Sequence, residues 1–115
     1  MRITVTDLGD ARIRIPDRIA RGDLIMVYAI ISHPMNTGFF RDHDGNPIPA
    51  FFIRDVEVTY AESRVARFEW TSGVSRDPFI SFPLRTDREG PLTMTWKDNL
   101  GGVFSQSVDI RFASA

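Results

Sequence analysis

The sequence predicts an all-β fold, an antiparallel sandwich of about seven strands within a single domain spanning residues 1–115. Three observations predict it. Apolar residues recur at every second position almost throughout, the period of a strand with one buried face. Turn-forming clusters break these runs roughly every 8–15 residues. No segment carries a 3.6-residue apolar stripe with helix caps.

The elements follow in order. Ile13 and Ile15 alternate with Arg12 and Arg14 in a short first strand. Leu24 to Ser32 forms the second. From Phe52 to Tyr60, Phe52, Val56, Val58 and Tyr60 share one face with Arg54 as the exception, and Asp55, Glu57 and Thr59 take the other. Ala66, Phe68 and Trp70 alternate with Arg67 and Glu69. Ile80, Phe82 and Leu84 mark a further strand. Leu92, Met94 and Trp96 alternate with Thr93 and Thr95. Phe104, Val108, Ile110 and Phe112 alternate with Ser105, Ser107, Asp109 and Arg111. Between them lie Arg21-Gly22-Asp23, Asp44-Gly45-Asn46-Pro47, Ser72-Gly73, Arg88-Glu89-Gly90-Pro91 and Asp98 to Gly102, rich in the residues that tolerate turn dihedrals.

The Leu24–Ser32 strand departs from the pattern. Leu24, Met26, Tyr28 and Ile30 fall on one face, and Ile25, Val27, Ala29 and Ile31 on the other. One face of a two-layer sandwich normally meets water. A loop, the N-terminal segment or a partner chain is expected to cover the outer one.

Composition excludes several functions. With 14 basic and 15 acidic residues the net charge is −1, and the arginines are scattered, so no footprint for nucleic acid or an anionic membrane exists. The chain has no cysteine, which removes disulfides, thiolate metal sites and sulfur chemistry by this chain itself. The start, Met1 to Asp10, has no apolar core of signal-peptide length, and no apolar run approaches the length of a membrane span. A soluble protein is expected, cytoplasmic or exported by other means.

The side-chain inventory offers no catalytic machinery. Only His33 and His43 are present, whereas an iron centre of the superoxide reductase type needs several histidines and a cysteine. Asp42-His43-Asp44-Gly45-Asn46 starts like a calcium loop, but the twelfth position is Ile53 rather than a bidentate Glu, so a polar hairpin tip is expected. No nucleophile elbow or phosphate-cradling Gly loop occurs. Asp55 and Glu57 share a strand face without the burial that would shift a carboxylate. Phe39 and Phe40 are adjacent, so in an extended chain they point opposite ways and at least one is expected to leave the core.

Ile31-Ser32-His33-Pro34-Met35-Asn36-Thr37-Gly38, followed by Asp42-His43-Asp44-Gly45-Asn46-Pro47-Ile48-Pro49, resembles the SoxZ family of thiosulfate-oxidation carrier subunits. Pro78, Phe82, Gly90, Leu92, Thr93 and Trp96-Lys97-Asp98 follow in the family's order, and the likeness covers about residues 11–112. Ala50, Ala61-Glu62, Asp77 and Asn99 to Gly102 depart from its usual Arg, Asn-Gly, Asn and acidic hairpin.

The resemblance implies an immunoglobulin-like sandwich with no catalytic residues, cofactor or metal. It implies a heterodimer with a SoxY-like protein whose C-terminal cysteine carries covalent sulfur intermediates. Other sulfur-oxidation enzymes would make transient contacts with that complex, and nucleic acid and membrane would not. A periplasmic home follows, reached by export with the partner. The expected partner surface comprises Ile25, Val27 and Ile31 with His33, Pro34, Met35, Phe39 and Phe40. A free-standing immunoglobulin-like binding or adhesion module is the alternative.

Overall fold

A computed structural model describes residues 7–113. Met1 to Thr6, part of the stretch read above for a targeting signal, lie outside the described residues, as do Ser114 and Ala115. Seven strands occur: β1 (Ala11–Arg14), β2 (Leu24–Ile31), β3 (Ile53–Tyr60), β4 (Ser63–Glu69), β5 (Phe79–Arg85), β6 (Gly90–Asp98) and β7 (Val103–Ile110). One sheet has the order β1-β2-β5 and the other β4-β3-β6-β7, with every pair antiparallel. No helix is present among the described residues.

The two inner faces make the core. β2 contributes Ile25, Val27, Ala29 and Ile31, and β5 contributes Phe82 and Leu84. Opposite them lie Ile53, Val56, Val58 and Tyr60 of β3 and Leu92, Met94 and Trp96 of β6, with Ile110 of β7.

The Arg54 exception in the β3 pattern has a physical cause. Pairing with β6 shifts register between Ile53 and Asp55. A bulge inserts one residue and reverses side-chain parity. Ile53 therefore points inward together with Val56, while Arg54 faces solvent and Phe52 is half-buried. At the β3–β4 hairpin, Ala61 and Glu62 both take the left-handed conformation, φ 47° and 74°. This is the dihedral pattern of a two-residue mirror-type turn, which Asn-Gly would satisfy with less strain.

The outer faces differ sharply. On the four-stranded sheet, the Thr93 hydroxyl meets Ser107 at 2.9 Å, Thr95 meets Ser105 at 3.0 Å, and Arg67 donates to Asp55 at 2.6 Å. On the three-stranded sheet, the even-numbered residues of β2 point outward. Leu24 is 60% exposed and Met26 40%, with Tyr28 and Ile30 half-buried. Phe79 and Pro83 of β5 pair with Ile30 and Met26 in the same layer, and the Tyr28 and Phe79 rings lie 6.0 Å apart. β5 is an edge strand, the position where a proline's missing N–H is tolerated.

Candidate functional site

Ile31 ends β2 in one sheet, and the chain must cross to enter β3 in the other. His33 fixes that crossing. Its backbone N–H donates to Asp77 Oδ1 at 3.0 Å and its carbonyl accepts the Asp77 N–H at 2.8 Å. Its Nδ1 accepts the Met35 N–H at 3.1 Å, which places the ring proton on Nε2. Met35, held at φ 51°, then turns inward, and its Sδ accepts the Ile53 N–H at 3.3 Å at the start of β3.

The His33 ring is sealed beneath Phe51, 4.3 Å away between centroids, and the residue is 1% exposed. Its Nε2 faces Asp98 Oδ2 at 3.6 Å and has no hydrogen-bond partner. Burial lowers the imidazole pKa from its ordinary value, against the opposing pull of Asp98 and Asp77. The ring is therefore neutral at pH 7, which agrees with its role as acceptor for Met35.

Asp98 performs a second task. Its Oδ1 accepts the backbone N–H groups of Leu100 and Gly102 at 2.9 and 2.7 Å, closing the β6–β7 turn. A Cβ at residue 102 would collide with Asp98 Oδ2, so any larger residue there would have to displace the carboxylate that closes the turn. Asn99 binds the same turn to the start of β3: its Oδ1 accepts the Phe52 N–H and its Nδ2 donates to the Ala50 carbonyl, each at 2.9 Å.

Residues 36–51 form an arm beyond this pin. Asn36 and Phe51 exchange both backbone bonds at its base, at 2.7 and 3.0 Å. Ile48 N–H donates to the Phe40 carbonyl at 2.8 Å. Asp42 Oδ1 accepts the N–H groups of Asp44 and Asn46 at the tip, which is the polar hairpin expected there. The arm thus holds itself, and it presents Phe39 at 88% and Phe40 at 66% exposure.

The expected partner surface divides. Ile25, Val27, Ile31, His33 and Met35 are all buried in the core, so their assignment to an outer surface is corrected. The pleat sets their direction, because odd-numbered positions of β2 face the second sheet. His33 is a structural pin, and Pro34 beside it is half-buried. Phe39 and Phe40 are both on the surface, where at least one was expected. The outward members of β2 and their neighbours on β5 were missed, as were Asp77, Asp98 and Asn99.

A cavity of about 340 Å³ opens on the outer face of the three-stranded sheet, between Arg14, Ile15, Pro16, Asp17, Met26 and Tyr28. Among the described residues, no group of three or more His, Cys, Asp or Glu side chains is placed to hold a metal ion.

The family model for sulphur oxidation protein SoxZ matches residues 13–109. No curated protein sequence gives a significant match. Among solved structures, superoxide reductase (neelaredoxin) from Ignicoccus hospitalis is similar with a TM-score of 0.68 and 18% identity, covering 90% of this chain and 80% of that one. The sulfur carrier protein SoxY from Chlorobium limicola f. thiosulfatophilum is similar with a TM-score of 0.61 and 15% identity, covering 90% and 79%. At these identities the likenesses show a shared fold.

Proposed function

The chain belongs to the SoxZ family of sulphur oxidation proteins, and from that premise we propose that it is the non-catalytic subunit of a sulfur-carrier complex. Its partner is a SoxY-like protein whose C-terminal cysteine holds the sulfur intermediates. The chain scaffolds that partner and helps present it to the enzymes that act on the adduct, which make only transient contacts. The compartment is the periplasm, reached by export together with the partner.

One observation carries the reading. The outer face of β1-β2-β5 is apolar through Leu24, Met26, Tyr28, Ile30, Phe79 and Pro83, whereas the other outer face is a Ser/Thr and ion-pair surface. A monomer has little reason to keep six neighbouring apolar side chains on one sheet face, and such patches mark protein interfaces. Arg14 and Arg85 are exposed at its margins, together with Arg12, which is paired with Asp10 at 2.6 Å, giving the face a partly cationic rim. The partner's matching face is accordingly apolar with carboxylates around it.

Pull-down of the tagged chain from its native host tests the reading, followed by mass measurement of the co-purifying protein. A one-to-one complex with a protein whose terminal cysteine carries sulfur adducts supports it. A lone, well-behaved monomer refutes it.

A further inference from the structure

We infer that the arm of residues 36–51 is a preformed latch that the carrier partner engages when it seats on the β1-β2-β5 face. The inference rests on the carrier-subunit reading and adds a second contact to it.

Area makes the first argument. A three-stranded face eight residues long projects on the order of 400 Å², from strand rise and spacing, and β1 supplies only four residues of it. A stable heterodimer buries about 800 Å² on each partner. Side-chain relief makes the accessible surface of that face larger than its projection, so the sheet supplies much of such an interface and the arm can supply the remainder.

Continuity selects that surface. The arm begins at Asn36, five residues after β2 ends at Ile31. Its base is locked to the same end of the sandwich by the Asn36–Phe51 pair and by Asn99. Phe39 and Phe40 are the most exposed aromatics among the described residues, and each ring offers about 150–250 Å² for burial.

The arm's construction makes the second argument. A loop that merely spanned two strands would turn its phenylalanines into the core. This one spends backbone pairs and an Asp42 cap on its own hairpin and leaves both rings outside. Rigid aromatic anchors of this kind dominate interface energetics. They also lose little conformational freedom on binding when the backbone is already set.

The test uses the full chain and its carrier partner, with affinity measured by titration calorimetry for wild type, Phe39→Ser/Phe40→Ser and Met26→Asp. The arm variant is expected to weaken the complex about 30-fold or more with its own melting temperature unchanged, because neither ring packs in the core. Amides of residues 39–48 should gain hydrogen-exchange protection in the wild-type complex. Affinity within twofold of wild type, with arm amides exchanging at the same rate free and bound, overturns the latch. If Met26→Asp then weakens binding, the carrier-subunit reading stands without it. Failure of the wild-type chain to bind the carrier at all overturns that reading and the latch together.

Discussion

His33 and Asp98 face each other inside the sandwich with Nε2 and Oδ2 3.6 Å apart, their side chains 0% and 2% exposed. The pair joins the end of β2 to the β6–β7 turn. Through Asp77 and Met35 it also reaches the approach to β5 and the start of β3. Of these links only the Met35 N–H bond to Nδ1 requires a neutral imidazole; Asp77 holds the His33 backbone whatever the charge of the ring.

Stability should fall in mild acid. Burial lowers the His33 pKa below its ordinary 6.5, so the unfolded chain takes up a proton more readily than the native one. The stabilisation is complete above pH 6.5 and declines as pH falls below it. Thermal melts from pH 7.5 to 5 should show this decline in wild type, and a smaller one in His33→Gln. Equal slopes in the two proteins would exclude His33 as the source.

Asp98→Ala should cost about 2–4 kcal/mol, because two turn amides lose their acceptor in a half-buried setting. Asp98→Asn retains Oδ1 and should lose less. Urea unfolding gives the ranking, and hydrogen exchange at Leu100 and Gly102 locates the damage. An alanine variant as stable as wild type would contradict the capping role.

The β3–β4 turn is open to improvement. Ala61→Asn/Glu62→Gly should raise stability by about 1 kcal/mol, since Asn and Gly enter the left-handed region with less strain. Chemical denaturation measures the gain. No gain would mean that the surroundings of the turn, rather than its dihedrals, limit it.

Purified alone, the chain should self-associate and bind a hydrophobic dye through Leu24, Met26 and Phe79. Met26→Asp/Phe79→Ser should suppress both effects while the fold survives. Sedimentation velocity and dye fluorescence report this directly. A dye-silent monomeric wild type would show that the face is satisfied within the chain.

The strands were readable from the sequence because a period of two is a local property, visible in runs such as Leu92–Trp96. Even the β3 bulge left a trace, since Arg54 interrupts the apolar face where parity reverses. Which side of β2 faces outward was unreadable for a physical reason. Leu24/Met26/Tyr28/Ile30 and Ile25/Val27/Ala29/Ile31 are equally apolar, so hydropathy does not choose between them. Only the placement of β2 between β1 and β5, beneath the second sheet, decides.

The pin was partly readable. The histidine inventory removed metal chemistry at His33, but the residue was assigned to the partner surface and the structure buries it. Its partners were hidden by distance along the chain, since Asp77 lies 44 residues away. Asp77 departs from the family's usual Asn, yet a carboxylate oxygen supplies the same acceptor to the His33 N–H. Phe39 and Phe40 could be marked for exposure only by their adjacency. That both leave the core follows from the hydrogen bonds of the arm, which residue types alone do not reveal.

Pro83 carries a consequence for how the chain behaves while its apolar face is uncovered. An apolar sheet ending in an unprotected strand would recruit any passing extended peptide and grow into fibres. With a donor deleted midway along that border, no foreign strand can complete a ladder there. Recognition along this border is thereby confined to the shape of side chains, and the apolar face is kept from growing by strand addition at β5.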